Sequence, residues 1–200
     1  RFSMAVGGRF ISSNLKIPEE NSDASAATTF AVDVSGYYQS EEEYYNDFNG
    51  RWRAGFNFQN LGPKISYDND ALNNNFIPAN LRLGAGFDFI FDDYNKVSVA
   101  AEVTKLLVPT PPARAVAVDS NNNWEIDDEE KDAADDANEV NYADYRKQNW
   151  VSGMFSSFND APDGFSEELK EFTWALGAEY WYQNSFALRA GYFNESVEKG

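Results

Sequence analysis

The chain has 200 residues and a formal net charge of −17 at pH 7, with a pI near 4.2. This acidity argues against a nucleic-acid partner, because binding of phosphate groups needs a basic surface. The chain contains no Cys and no His, which excludes disulfides, thiolate metal sites and Ser–His–Asp or Cys–His catalytic pairs within these residues.

Alternation of apolar and polar side chains is the dominant pattern of the sequence. In residues 50–60, GRWRAGFNFQN, the apolar residues Trp52, Ala54, Phe56 and Phe58 alternate with polar or small ones. Period-two alternation over this length predicts a β-strand with two unlike faces. In chain order, the same pattern occurs at residues 1–11, 28–38, 50–60, 79–91, 97–106, 171–182 and 185–193. We therefore expect about seven strands and no helix of comparable strength.

The connections between these strands fall into two groups. The shorter turns are residues 39–49, 92–96 and 183–184, and the longer excursions are residues 12–27, 61–78 and 107–170. No run of 18 apolar residues occurs, so a transmembrane helix is not expected. An antiparallel meander with long loops at one end and short turns at the other is typical of an outer-membrane β-barrel.

The alternation also fits a soluble barrel or sandwich, in which the aromatic face points inward. Three features favour the membrane barrel. The strands are uniformly long, Tyr and Trp collect at strand ends, and small residues recur on the polar face. The sequence thus predicts an all-β, antiparallel transmembrane barrel. Because bacterial barrels close with even strand numbers, we expect residues 1–200 to be about half of a larger barrel.

Charged residues on the polar strand faces are predicted to line the barrel interior. They are Arg51, Arg53, Arg82, Asp88, Glu102, Glu179 and Arg189. Two interpretations are open: a conduit, or an internal ion-pair network that holds the barrel shut. The network is favoured, because barrel interiors are polar whether or not anything passes through them.

Residues 107–170 are far longer than an ordinary connection, and loops of this length are usually functional or disordered. Within them, residues 148–158 predict a short amphipathic helix with one apolar face. A second short helix is predicted at residues 165–172, with Ser166 as N-cap and Glu167 and Glu168 in its first turn. The first helix either caps its own barrel or docks a partner. The candidate docking residues are Trp150, Val151, Met154, Phe155, Phe158 and Phe165.

The stretch DSNNNWEIDDEE, residues 119–130, has the spacing of an EF-hand-type calcium loop. Oxygen ligands at positions 1, 3, 5, 7, 9 and 12 suit Ca²⁺. These positions are Asp119, Asn121, Asn123, Glu125, Asp127 and Glu130. Position 6, normally Gly, is Trp124, and a bulky residue is costly in the left-handed conformation. The alternative is an acidic, solvated loop that continues through residues 131–139. No other cofactor is expected.

Several longer stretches resemble one protein family. NLGPKISYDND (60–70) and FIPANLRLGAGF (76–87) are similar to the strand–loop–strand of the PorV/PorQ outer-membrane proteins, distant relatives of the FadL fatty-acid transporters. LLVPTPP (106–112), SFNDAPDGFSEELKEFTWALGAEYWY (157–182) and FALRAGYFNES (186–196) resemble the PorV branch more closely. The resemblance runs through almost the whole chain and is weakest in residues 12–49 and 115–150.

The resemblance implies a FadL-like barrel of about 14 strands when complete, with the long loops extracellular. It implies a component of the Bacteroidetes type IX secretion system in the bacterial outer membrane, in contact with the bilayer and lipopolysaccharide. Such a component binds cargo proteins through their C-terminal signal domain and carries them from a giant translocon to the cell-surface attachment complex. An enzymatic role is not expected.

Two alternative functions share this fold. A FadL-like transporter of hydrophobic small molecules needs an apolar interior pocket, which the Gly-, Arg- and Asn-rich polar faces do not favour. A lipid hydrolase acting on lipopolysaccharide needs a nucleophile and a base. The chain has no His and no GxSxG-type elbow, so this pair is not expected within these residues.

Overall fold

The computed structural model describes residues 1–14, 26–67, 74–161 and 164–196, with only the backbone described at residues 165 and 166. The central parts of two predicted excursions, residues 15–25 and 68–73, therefore lie outside the described residues, as does the side chain of Phe165, a predicted docking residue.

The described residues contain eight antiparallel strands, which form one sheet. They are β1 (Phe2–Ser13), β2 (Ala27–Gln39), β3 (Glu43–Tyr45), β4 (Phe48–Leu61), β5 (Asn80–Ile90), β6 (Asn95–Leu106), β7 (Phe172–Tyr182) and β8 (Phe186–Asn194). Seven strands follow the order β1-β2-β4-β5-β6-β7-β8, and β3 pairs with β4. Within the described residues, β1 and β8 are the edges of the sheet. The all-β, antiparallel prediction is confirmed.

The seven long strands lie where the alternation predicts them, and β3 is an additional strand. It extends the connection between β2 and β4, with Glu43 opposite Gly50 and Tyr45 opposite Phe48. The register places the short connections at one end of the sheet, where Phe2 lies opposite Tyr38. The long excursions leave from the other end, which we call the loop end.

The strand register sorts the side chains into an apolar face and a polar face. Across the sheet, Trp52 pairs with Phe87, which pairs with Val99, so these side chains share the apolar face. Large apolar side chains on this face are exposed on every long strand. Examples are Val6, Phe30, Trp52, Leu83, Val99, Leu176 and Leu188. No described element covers the middle of this face.

Three helices lie between β6 and β7: α1 (Asp128–Lys147), α2 (Trp150–Ser156) and α3 (Phe165–Lys170). The two predicted short helices are confirmed as α2 and α3, with Glu167 and Glu168 in the first turn of α3. The predicted N-cap Ser166 is wrong, because Gly164 holds that position and the helix begins at residue 165. None of the described helices is long and apolar enough to cross a membrane.

Helix α1 corrects the expectation that no strong helix exists, and it shows that residues 131–139, considered above as part of a solvated loop, form a largely exposed helix. It is 20 residues long. Asp127 and Glu130 form a capping box, in which each side chain accepts a hydrogen bond from the backbone of the other residue. Acidic residues occupy the first turn, and Arg146 and Lys147 occupy the last, which complements the helix dipole.

A small core lies on the polar face near the loop end. Ala27 and Ala31 of β2 pack there against Ile65 and Ile77. The segment that follows β4 approaches β2 closely, since a Cβ on Gly62 would lie 2.2 Å from the carbonyl oxygen of Phe30. An isolated antiparallel bridge joins Ile65 to Asn75. Residues 62–67 and 74–79 therefore fold over β2 as a cover, which we call the β2 cover.

Candidate functional site

The seven charged residues predicted to line an interior all lie on the polar face, and each has a partner of opposite charge. Arg53 Nη2 lies 2.8 Å from Asp88 Oδ1, and Arg82 Nε lies 3.4 Å from Glu102 Oε1. Arg189 contacts Glu179 directly. The seventh, Arg51, lies 3.3 Å from Glu42.

Asp88 is the most buried of these charges. Its side chain is almost fully covered, and Ser98 Oγ donates a hydrogen bond to its Oδ1 at 2.7 Å. The pairing of all seven charges favours the ion-pair network over an open conduit. That these residues line a closed interior stays a prediction.

A further pair on the polar face joins the first two strands. Arg9 Nη2 lies 2.7 Å from Asp33 Oδ2, and Asp33 Oδ1 accepts a hydrogen bond from the backbone N–H of Asn60. Asn60 has a φ of 59°, next to an irregularity in the β2–β4 register. Both charges stand on the polar side of the alternation, so the same signal that identified the other pairs could have identified this one.

The polar face also carries a concavity of about 310 Å³. Its lining includes the small residues Gly55, Gly84, Gly86 and Ala100, together with the charged side chains of Arg53, Arg82 and Glu102. The small residues make room, and the charges beside them are the paired ones described above.

Helix α2 divides the predicted docking residues between two sides. Gly153 is buried, and a Cβ there would lie 2.8 Å from Phe76 and 3.1 Å from Pro109. Trp150 and Met154, one turn apart, are half-buried with it. The other side is exposed, with 40% of Val151, 73% of Phe155 and 43% of Phe158 accessible. The residues predicted to form a single apolar face therefore lie on two sides. Trp150 and Met154 pack against the protein, whereas Val151 and Phe155 are exposed.

A buried ionic cluster that the sequence analysis missed lies at the base of the loop. Lys105 is 1% exposed, and its Nζ lies 2.6 Å from Glu168 Oε1 and 2.5 Å from Glu171 Oε2. By register, Lys105 belongs to the apolar face, opposite Leu81 and Phe172. The rings of Phe158 and Phe172 lie 5.8 and 5.0 Å from its Nζ.

Thr110 connects a third carboxylate, that of Asp160, to this cluster through hydrogen bonds. Its backbone N–H donates to Asp160 at 2.8 Å, and its hydroxyl lies 2.9 Å from Glu171 Oε1. Burial raises the pKa of Asp160, and the charges of Glu171 and Glu168 raise it further, against the lowering effect of the Thr110 hydrogen bonds. Asp160 therefore binds a proton at a higher pH than an ordinary Asp does.

Residues 119–130 form a compact turn with several features of the predicted calcium loop. Asn122 and Trp124 have φ of 58° and 70°, so Trp124 adopts the left-handed conformation that Gly usually supplies at position 6. Asp119 accepts hydrogen bonds from the backbone N–H groups of Asn123 and Trp124. Among the described residues, however, the group of three acidic side chains whose oxygens all lie within 4.8 Å of one another is Asp160, Glu168 and Glu171, and residues 119–130 form no such group.

Glu130, the predicted ligand at position 12, is buried and makes internal hydrogen bonds. It accepts from the backbone N–H groups of Ser120, Asn121 and Asp127 and from the Ser120 hydroxyl. Burial alone raises its pKa, but these hydrogen bonds together hold the pKa below its usual value. A carboxylate with a depressed pKa stabilises the fold fully at neutral pH, and this contribution is lost as the pH falls through the lowered pKa. Calcium binding stays a prediction.

The predicted calcium loop can be tested by limited proteolysis of the full-length protein. If Ca²⁺ holds residues 119–130, a chelator speeds cleavage within residues 115–140 and added Ca²⁺ slows it again. We also expect Glu130→Ala to increase cleavage in this region severalfold in either condition, because it removes the capping box and the loop hydrogen bonds.

Glu129→Ala is the matched control, because Glu129 is an exposed neighbour in the same helical turn. It should leave the cleavage rate near that of the wild type. Cleavage that does not respond to chelator would contradict the calcium prediction, and the hydrogen bonds of Glu130 would then be sufficient to hold the loop.

Comparison with known proteins gives one result that bears on this site. A family model described as "Type IX secretion system protein PorV" matches residues 1–113, more than half of the chain. The match covers β1 to β6, while the three helices, β7 and β8 lie outside it. A search of curated proteins found no match.

Proposed function

Since the chain belongs to the PorV family of type IX secretion system proteins, we propose that it is an outer-membrane component that binds secreted cargo. In this proposal it recognises the C-terminal signal domain of each cargo protein. It receives the cargo from a giant outer-membrane translocon and carries it to the attachment complex at the cell surface. No enzymatic step is part of this role.

The apolar face of the sheet is the observation that carries the membrane part of the proposal. Large apolar side chains are exposed on all seven long strands, for example 71% of Val6 and 65% of Leu188. An exposed patch of this size is unfavourable in water and marks a membrane or protein contact. Lipid on this face, with paired charges on the other, is the arrangement of an outer-membrane barrel.

The loop end supports the partner-binding part of the proposal. Loops positioned by a rigid scaffold commonly carry function. Here the loop presents Val151 and Phe155 outward on α2, which is anchored through Gly153 to Phe76 and Pro109, and the partly exposed Phe158 follows just after the helix. We propose that this exposed row docks the cargo domain or the translocon, with the loop on the extracellular side.

The transporter alternative rests on the concavity of the polar face. Its lining is mostly apolar, as an apolar ligand needs, but the ion-paired side chains of Arg53, Arg82 and Glu102 also border it. A hydrophobic molecule there would lie against these charges, so we favour the secretion role.

The proposal can be tested by photo-cross-linking in native outer membranes. A photoreactive amino acid is placed at Phe155 of the full-length protein, and adducts are identified by mass spectrometry. We expect adducts with a very large barrel protein or with proteins that share one C-terminal domain. The paired substitution Val151→Ser with Phe155→Ser should reduce recovery of the same proteins in a pull-down.

Leu176 is the control position, because it is 52% exposed in the middle of the apolar face. A photoreactive group there should give lipid adducts and no cargo. If the group at position 155 gives adducts with fatty acid and none with cargo or translocon, the secretion role is contradicted and the transporter is favoured.

A further inference from the structure

The segment before the acidic turn has the features of an extended strand, although it belongs to no sheet. From Pro109 to Asp119 the chain makes no bend or turn. Exposure alternates along it, with Arg114, Val116 and Val118 exposed and Ala115 and Ala117 half-buried. This alternation is the pattern of a β-strand that rests on a neighbour with one face.

One edge of this segment is held by a side chain of α1. Asn138 Oδ1 accepts a hydrogen bond from the N–H of Ala115 at 2.7 Å, and Asn138 Nδ2 donates to the carbonyl oxygen of Ala115 at 2.9 Å. A residue of a neighbouring antiparallel strand makes the same two bonds. The amide of Asn138 thus occupies the place of a strand on that side.

The opposite edge is open. In an extended chain, the N–H and C=O groups of alternate residues point to opposite edges, so those of Arg114, Val116 and Val118 point away from α1. In the part of the chain that the structure describes, no hydrogen-bond partner pairs with the backbone of these three residues. Such a row of unpaired groups is a template for another strand.

The side chains of the open segment suit a strand partner. Val116 is 75% exposed and Val118 is 66% exposed, and β-branched residues pack well across paired strands. Prolines at 109, 111 and 112 cannot donate to a ladder, which confines the usable edge to residues 113–118. Residues 107–170 contain fifteen Asp and Glu against five Lys and Arg, so the surroundings attract a basic partner.

We propose that residues 113–118 are a docking edge that takes up an extended, Lys- or Arg-bearing β-strand of a partner protein. Main-chain hydrogen bonds to Arg114, Val116 and Val118 supply the affinity, and the acidic loop selects the charge. This inference rests on the proposed function for the identity of the partner, which is a strand of the cargo signal domain.

The edge can be tested first without cargo. The probe is a capped peptide of alternating Lys and Val, added to the full-length protein in detergent. We expect binding, together with slower hydrogen exchange at the amides of Val116 and Val118 but not at Ala115 or Ala117. A peptide with the same side chains and N-methyl groups on its pairing edge should not bind.

Two proline variants form a matched pair. Val116→Pro removes an N–H from the open edge, whereas Ala117→Pro removes one from the edge that faces α1. We expect Val116→Pro to weaken peptide binding about tenfold or more and Ala117→Pro to leave it nearly unchanged. The proposal is overturned if both variants lose peptide binding equally. It is also overturned if the N-methyl peptide binds as well as the unmodified one, or if the wild type binds neither.

Cargo recovery separates this inference from the proposed function. If Val116→Pro loses the peptide and also loses cargo in a pull-down, the edge is the cargo contact. If it loses the peptide but recovers cargo at the wild-type level, the assignment of the partner to cargo is overturned. If the wild type binds the peptide as expected but recovers neither cargo nor translocon, the edge stands and the proposed function fails.

Discussion

Replacing Lys105 with Met should release the base of the long loop, at a cost of about 3–5 kcal/mol, because removing one partner of a buried ion pair leaves the other charge uncompensated. Lys105 and Glu168 are both almost fully buried, and Glu171 lies beside them. Hydrogen exchange of the amides of residues 168–172 measures the effect directly. We expect faster exchange there and unchanged exchange in β1 and β2.

Two further variants make this result specific. Lys131→Met removes an exposed pair with Asp128 and should have no measurable effect. The triple variant Lys105→Met, Glu168→Met and Glu171→Met removes all three charges and should recover most of the loss, since apolar residues can replace a buried ionic group. If the amides of residues 168–172 exchange at the wild-type rate in the Lys105→Met variant, the cluster does not hold the loop.

Gly62→Ala should detach the β2 cover from the sheet. The added Cβ would lie 2.2 Å from the carbonyl oxygen of Phe30 and 3.0 Å from Ala31 Cα, so it meets backbone that cannot rotate away. Forcing an atom into such a contact costs about 1–3 kcal/mol or more. The expected result is exposure of Ile65 and Ile77, measured as faster proteolysis in residues 62–79.

Gly8→Ala is the matched control, because nothing lies within 4 Å of the added Cβ. It should leave proteolysis unchanged, since Ala is also the better strand residue. Equal proteolysis of the Gly62→Ala variant and the wild type would mean that residues 62–67 adjust without leaving β2.

The strands were predictable because alternation is a local signal that burial on one face imposes on the sequence. The same alternation placed all seven charges, such as Arg53 and Asp88, on one face. Helix α1 was missed because its many acidic residues suggest a solvated loop. Its start was nonetheless signalled by Asp127 and Glu130, which have the spacing of a capping box.

The Lys105 cluster was not predictable in the same way. Lys105 lies near the end of β6, whereas Glu168 in α3 and Glu171 at its C-terminal end lie more than sixty residues later. No local pattern links residues at that separation, so only the tertiary structure brings them together. The two sides of α2 were likewise unpredictable, because the burial of Gly153 depends on where Phe76 and Pro109 lie.

The tight turn between β7 and β8 has a consequence for the order in which the sheet assembles. Three residues connect β7 to β8, and the first two, Gln183 and Asn184, both have φ of 52°, the left-handed values of a type I′ turn. A hairpin closed by so short a turn forms within about 1–10 μs. Pairing of β6 with β7 must instead close the whole 107–171 connection, an entropic cost that grows with loop length. We expect β7 and β8 to reach the sheet as a preformed unit, with β6–β7 pairing as the late and slow step.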